Sequence, residues 1–210
     1  NSVDGINWTK VLPASPFKSR GEHLIRVSKD PDTGQEKLWL FGGENRTART
    51  WNKLYDVWSS TNGINWTQET NSFGNALEAV DAAILQRSNA SDPELWLLVK
   101  DLNDRDEHIL LSSQTGNSWQ RTASTKNGSL PGNMIWETAQ QIFSSSAITG
   151  QDEKLWLMND SMWSSSDGRN WSMESTQKFS RGDVLTVNEN NTKTFWLFNE
   201  FKRQLTYKSI

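Results

Sequence analysis

Ser60-Thr61-Asn62-Gly63-Ile64-Asn65-Trp66 is one of four versions of the same heptapeptide. The others are Ser2-Val3-Asp4-Gly5-Ile6-Asn7-Trp8, Ser113-Gln114-Thr115-Gly116-Asn117-Ser118-Trp119 and Ser165-Ser166-Asp167-Gly168-Arg169-Asn170-Trp171. The closing tryptophans stand 58, 53 and 52 residues apart, and 39 residues follow Trp171. Joining the ends adds 8 residues to reach Trp8, so one further unit of similar length closes the circle. A period of this size marks stacked supersecondary units that bury their faces against one another. Within each heptapeptide the short polar side chain can accept hydrogen bonds from the turn's own N–H groups, and glycine supplies a positive φ. The tryptophan reads as a wedge between neighbouring units. Asp4, Gly5, Trp8, Asn62, Gly63, Trp66, Gly116, Trp119, Asp167, Gly168 and Trp171 are therefore assigned to folding.

A second pattern repeats in phase: Leu38-Trp39-Leu40-Phe41, Leu95-Trp96-Leu97-Leu98, Leu155-Trp156-Leu157-Met158 and Phe195-Trp196-Leu197-Phe198. Short, wholly apolar runs suit strands covered on both faces. Each unit is read as four antiparallel strands, A to D. Strand A is expected near 22–27, 78–85, 137–143 and 183–187, and strand B is the Leu-Trp-Leu run. Strand C is expected near 56–59, 108–112, 162–164 and 204–209, and strand D begins at the Asn-Trp that closes the turn. Four such strands per repeat specify an all-β, four-bladed β-propeller. It spans residues 1–210 as one domain, with blades near 14–70, 71–122, 123–174 and 175–210 plus 1–13. The last unit lacks its own strand D, and residues 4–9 are expected to pair with 204–209 and close the ring.

The turn resembles a shortened Asp-box, the hairpin of sialidase-type propellers. With Leu38-Trp39-Leu40-Phe41-Gly42-Gly43 and Asp56-Val57-Trp58-Ser59-Ser60, the chain is also similar to bacterial kelch-like repeats. The resemblance covers the whole chain, but only the first unit keeps the Gly-Gly pair and kelch rings usually have six or seven blades. Four blades are instead typical of hemopexin-like propellers, whose hallmark cysteines are absent here. In Asp-box propellers the boxes lie on the side opposite the usual active site, so the resemblance implies structural turns and no sialidase activity.

Composition narrows the function. A net charge of −3 provides no basic field for nucleic acid. No apolar run is long enough to span a bilayer. Without cysteine there is no disulfide, thiol nucleophile or thiolate-bound zinc, and His23 and His108 are the only histidines. Twelve tryptophans are the strong departure. The chain begins within a motif, which reads as a mature form or a domain of a larger polypeptide.

Strand alternation places the D–A and B–C loops at one end and the regular turns at the other, so ligand recognition is expected at the irregular end. The first B–C connection, residues 43–53, is expected as a long loop. Trp51 and Trp136 match nothing in the other units and fall at this end. The acids Glu44, Asp101, Asp160 and Glu200 each follow the strand-B tryptophan of their unit by four or five residues, and Arg46, Arg49, Arg105 and Arg203 lie near them in sequence. Aromatic planes flanked by arginine suit a sugar or a protein hot spot, while loop packing is the plain alternative. Asp101, Asn103, Asp104 and Asp106 are candidates for Ca²⁺ in an acidic loop, although the EF-hand spacing is not met, and the central channel of a four-bladed ring is the alternative ion site. No cofactor is otherwise expected. A sialidase would use a tyrosine nucleophile, and Tyr55 and Tyr207 both lie near strand C. The expected function is a non-catalytic module that binds a protein or glycan, in an exported, periplasmic or surface-associated bacterial protein. A carbohydrate-active enzyme and a structural spacer are the alternatives.

Overall fold

The protein is described here by a computed structural model covering residues 1–12, 14–30, 33–47, 49–86, 93–104, 107–131, 141–145, 153–159, 161–176, 182–189, 192–199 and 205–209. The regular structure of these residues is all β. The first sheet comprises β1 (Leu24–Lys29), β2 (Glu36–Arg46), β3 (Trp51–Ser60) and β4 (Thr67–Thr70). The second comprises β5 (Leu77–Leu85), β6 (Glu94–Asp101), β7 (His108–Ser113) and β8 (Gln120–Ser124). The third comprises β9 (Gln141–Ser145), β10 (Lys154–Met158), β11 (Met162–Ser165) and β12 (Ser172–Ser175). The fourth has three strands, β13 (Gly182–Glu189), β14 (Thr192–Asn199) and β15 (Leu205–Ser209). Every sheet is an antiparallel meander in chain order, and the register repeats. In backbone register Trp39 is paired with Ser59, Trp96 with Ser112, Trp156 with Ser164 and Trp196 with Tyr207.

The apolar runs explain how these sheets pack. Trp39, Phe41 and Val57 of the first sheet form one cluster with Leu95, Leu97 and Val99 of the second. Trp96, Leu98 and Leu110 meet Ile142, Leu155 and Leu157 of the third. Trp156 and Met158 meet Phe195 of the fourth, with ring centroids of Trp156 and Phe195 4.8 Å apart. Successive sheets therefore pack face to face, which is why their Leu-Trp-Leu runs carry no polar residue. A tryptophan buried in this way removes roughly 200 Å² from water, an upper value of about 5 kcal/mol.

The turn glycines complete this interlock. An alanine Cβ on Gly116 would lie 2.7 Å from Cζ3 of Trp39 in the preceding sheet. On Gly168 it would overlap the six-membered ring of Trp96 still more deeply. Thus each of these turns rests its bare Cα on the central tryptophan of the sheet before it. At the opposite edge, Asp81 ties β1, β5 and β9 together. It pairs with Arg26 and accepts the N–H of Ile142 at 2.9 Å, while Arg26 Nε donates to Ala82 O at 2.6 Å. Burial pushes the Asp81 carboxyl up to about 6, against the opposing pull of Arg26 and the N–H groups of Ala82 and Ile142.

Two expectations require correction. Residues 4–9 do not form a strand beside residues 204–209: β15 pairs with β14, and residues 1–10 carry no strand assignment. Instead Asn1 and Thr9 exchange backbone hydrogen bonds of 2.7 and 2.8 Å, leaving Trp8 74% exposed. The turn holds its shape without a sheet because its polar groups are satisfied internally. The following segment is drawn to the first sheet, where Phe17 packs edge-on against Trp58 and Trp66, at 5.7 and 5.4 Å between centroids. Arg20 there grips both carboxylate oxygens of Asp56, at 2.7 and 2.9 Å. The second correction concerns residues 43–53, expected as a long loop. They extend the β2–β3 hairpin, with Arg46 opposite Trp51 and the Thr47 N–H donating to Thr50 O at 2.8 Å.

Candidate functional site

The heptapeptides form the turns expected of them. Asp4, Asn62 and Asp167 each accept two backbone N–H bonds through Oδ1, all at 2.8–2.9 Å. In the second unit Thr115 bonds instead to Asn117 Oδ1 at 2.6 Å, and Ser113 Oγ accepts the Gly116 N–H at 2.9 Å. Gly5, Gly63, Gly116 and Gly168 have φ of +71, +70, +80 and +70°. Each closing tryptophan donates its indole N–H to the turn glycine's carbonyl. Trp119 and Trp171 pack against the preceding sheet's core, whereas Trp66 is covered by Phe17 and Trp8 is solvated. The N–H groups of Asn7 and Ile6 hold the Asp4 carboxyl well below the usual range. The N–H groups of Asn170 and Arg169 do the same for Asp167, overcoming the opposing effect of burial. Acids held this way act as structural acceptors and not as proton donors near neutral pH.

At the opposite strand ends, the extended β2–β3 hairpin brings together Glu44, Arg46 and Trp51. The Arg46 guanidinium lies 4.4 Å from the Trp51 ring centroid, and that indole is 70% exposed. Arg46 also pairs with Glu22 and Glu44. Glu44, only 2% exposed, receives Lys53 as well at 3.1 Å, and Lys53 pairs onward with Glu78. Burial alone would raise the Glu44 carboxyl, but hydrogen bonds from Lys53 and Arg46 hold it below its ordinary value. Glu44 is therefore the buried hub of an ion-pair network that stiffens the hairpin, with its charge already neutralised. Arg49 sits in the turn, its N–H on Thr47 Oγ1 at 3.3 Å.

Asp101 stands apart at the end of β6 and caps its own loop, accepting the N–H groups of Asn103 at 2.8 Å and Asp104 at 3.3 Å. Asp104 pairs with Lys126 at 2.9 Å. The Lys126 ammonium competes with a cation for the Asp104 carboxylate, and Asp101 Oδ1 is already engaged by its own loop. Among the described residues no three His, Cys, Asp or Glu side chains gather as a metal site. No helix among them is long and apolar enough to cross a membrane. Arg105, Asp106, Trp136, Asp160, Glu200 and Arg203 lie outside the described residues.

Sequence reasoning missed two features. The Asp81–Arg26 tie depends on which edge strands become neighbours, which residue spacing does not reveal. A cleft of about 420 Å³ at the turn end of the second and third sheets depends on side chains from both sheets. The chain matches no family model and no curated protein sequence.

Proposed function

We propose that residues 1–210 form a single four-bladed β-propeller of kelch-like or Asp-box type that serves as a non-catalytic binding module. It recognises a protein or carbohydrate surface at the loop end carrying Trp51. The observation that carries this reading is the solvated Trp51 indole held beneath Arg46 at the end of a stiffened hairpin. A large apolar surface kept in water, oriented by a partner that is itself ion-paired, is costly in isolation and suited to capture. Face-to-face packing of the first three sheets, with their inner strands tied by Asp81, supports the propeller reading. An exported or surface-associated setting, as part of a larger polypeptide, follows from the resemblance.

The carbohydrate-active enzyme reading is weaker at this end because Glu44, its best-placed described acid, is buried and paired with two cations. A glycan array and a binding screen against surface proteins, run with wild type and Trp51→Ala, test the proposal. Ligand capture that falls at least tenfold in the variant is expected. Capture unaffected by Trp51→Ala, or no capture in either screen, refutes recognition by this hairpin and favours the spacer. Turnover of aryl glycosides that disappears in Glu44→Gln would favour the enzyme.

A further inference from the structure

The first and second sheets differ at one pair of equivalent positions. In the first, Lys37 lies two residues before the central Trp39, and Glu69 lies three after the closing Trp66. Lys37 Nζ meets Glu69 Oε1 at 3.1 Å and sits 4.2 Å from the Trp39 ring centroid. Ser59 Oγ donates to the same Glu69 oxygen at 2.5 Å. This ion pair spans the sheet from β2 to β4. The third sheet has Lys154 and Glu174 at these positions, and Ser164 Oγ donates to Glu174 Oε1 at 2.6 Å. In the second sheet the positions hold Glu94 and Thr122. Thr122 is too short to make that span and pairs instead with the Ser112 hydroxyl at 2.9 Å.

Both positions line the cleft of about 420 Å³. Its walls include Glu94, Gln114, Ser118, Gln120 and Thr122, and the neighbouring turn of the third sheet adds Arg169. Arg169 makes no ion pair among the described residues, and the side chains of Gln114, Ser118 and Gln120 make no hydrogen bond among them. Asp167, on the same wall, has both carboxylate oxygens committed to its turn. Trp96 at the base is 1% exposed, so among the described residues the cleft presents no aromatic platform.

We infer that this cleft is a second binding site, distinct from the Trp51 hairpin, for a carboxylate-bearing saccharide. Its volume falls within the range of small-ligand sites. The guanidinium supplies the planar fork that takes a carboxylate bidentately. Two amides and the neighbouring hydroxyls offer both donors and acceptors, which matches ring hydroxyls. A peptide would need an apolar pocket for an anchoring side chain, and with Trp96 buried the described walls offer none.

Isothermal titration with 3′-sialyllactose and trigalacturonate, against lactose and maltotriose as neutral controls, tests the site. At least one acidic probe is expected to bind ten times more tightly than the neutral ones and to lose at least tenfold in Arg169→Ala. The double variant Glu94→Lys/Thr122→Glu restores the repeat's own ion pair, so it should close the cleft and abolish binding while melting no lower than wild type. Trp51→Ala should leave that binding unchanged. Failure of both acidic probes to bind, equal binding of acidic and neutral probes, or full affinity in the refilled double variant would overturn the inference. Binding that depends on Trp51 but not on Arg169 would overturn this site while upholding the hairpin.

Discussion

Replacing the four turn glycines one at a time by alanine separates the backbone cost of the turn from the cost of inter-sheet packing. All four have φ between +70 and +80°, so a Cβ should cost each about 1–2 kcal/mol through left-handed strain. The reduced entropy of the unfolded alanine chain offsets part of this equally at every position. Beyond that the sites diverge. At Gly5 nothing lies within 4 Å of the added carbon, and at Gly63 only Leu38 Cδ1 is near, at 3.7 Å. At Gly116 and Gly168 the carbon would enter the rings of Trp39 and Trp96, both enclosed by rigid neighbours. Overpacking of this kind adds about 1–3 kcal/mol. The expected order is therefore Gly168→Ala and Gly116→Ala at about 2–5 kcal/mol, then Gly63→Ala and Gly5→Ala at about 1–2. Urea denaturation gives the differences directly, and melting temperatures should follow at roughly 2–4 °C per kcal/mol. Equal losses at all four sites would refute the interlock. A Gly5→Ala loss as large as that of Gly168→Ala would show the N-terminal turn docked against a tryptophan in solution, contrary to its exposure here.

Three other outcomes follow. The raised Asp81 carboxyl, about 6 against an ordinary 3.8, means the folded state holds a proton that the unfolded chain has released. Stability from this group is full below about pH 3.8 and is lost as pH rises through about 6, by at most about 3 kcal/mol. Urea midpoints measured from pH 4 to 7 should show that fall, and Asp81→Asn should flatten it; a profile unchanged by the substitution would sink the assignment. Asp56→Ala strands the Arg20 guanidinium, whose side chain is 2% exposed, and should cost about 3–5 kcal/mol by denaturation. A loss below about 1 kcal/mol would mean water reaches that arginine, as in a surface pair. Trp8→Ala should change stability by less than about 0.5 kcal/mol because the indole is solvated. A loss above about 2 kcal/mol would instead indicate that residues 1–12 complete the fourth sheet in solution.

The repeated architecture could be read from residues because each element carries its own local cause. The Ser-x-Asp-Gly-x-Asn-Trp turns are stabilised within seven residues, and the Leu-Trp-Leu runs announce strands covered on both sides. What failed was inference across elements. Residues 43–53 look like a loop because they are polar and contain no strand pattern, yet Glu44, Arg46 and Lys53 neutralise one another along a hairpin. The N-terminal closure rested on counting strands, and counting does not register the pull of Phe17 and Arg20 toward the first sheet. Trp51 was identifiable by subtraction, being the tryptophan in its unit with no counterpart elsewhere. The polar cleft was present in the sequence as Glu94 and Thr122 in place of lysine and glutamate. Only the folded sheet places both positions on the walls of one cleft.

The self-contained bonding of the N-terminal turn bears on how the chain finds its native state. A loop of seven residues can close within tens of nanoseconds, long before distant strands meet. Because this turn keeps its geometry while solvated, its three relatives need no finished sheet to form either. Early folding would then begin from four independent nuclei spaced along the chain, with slow steps confined to docking preassembled hairpins.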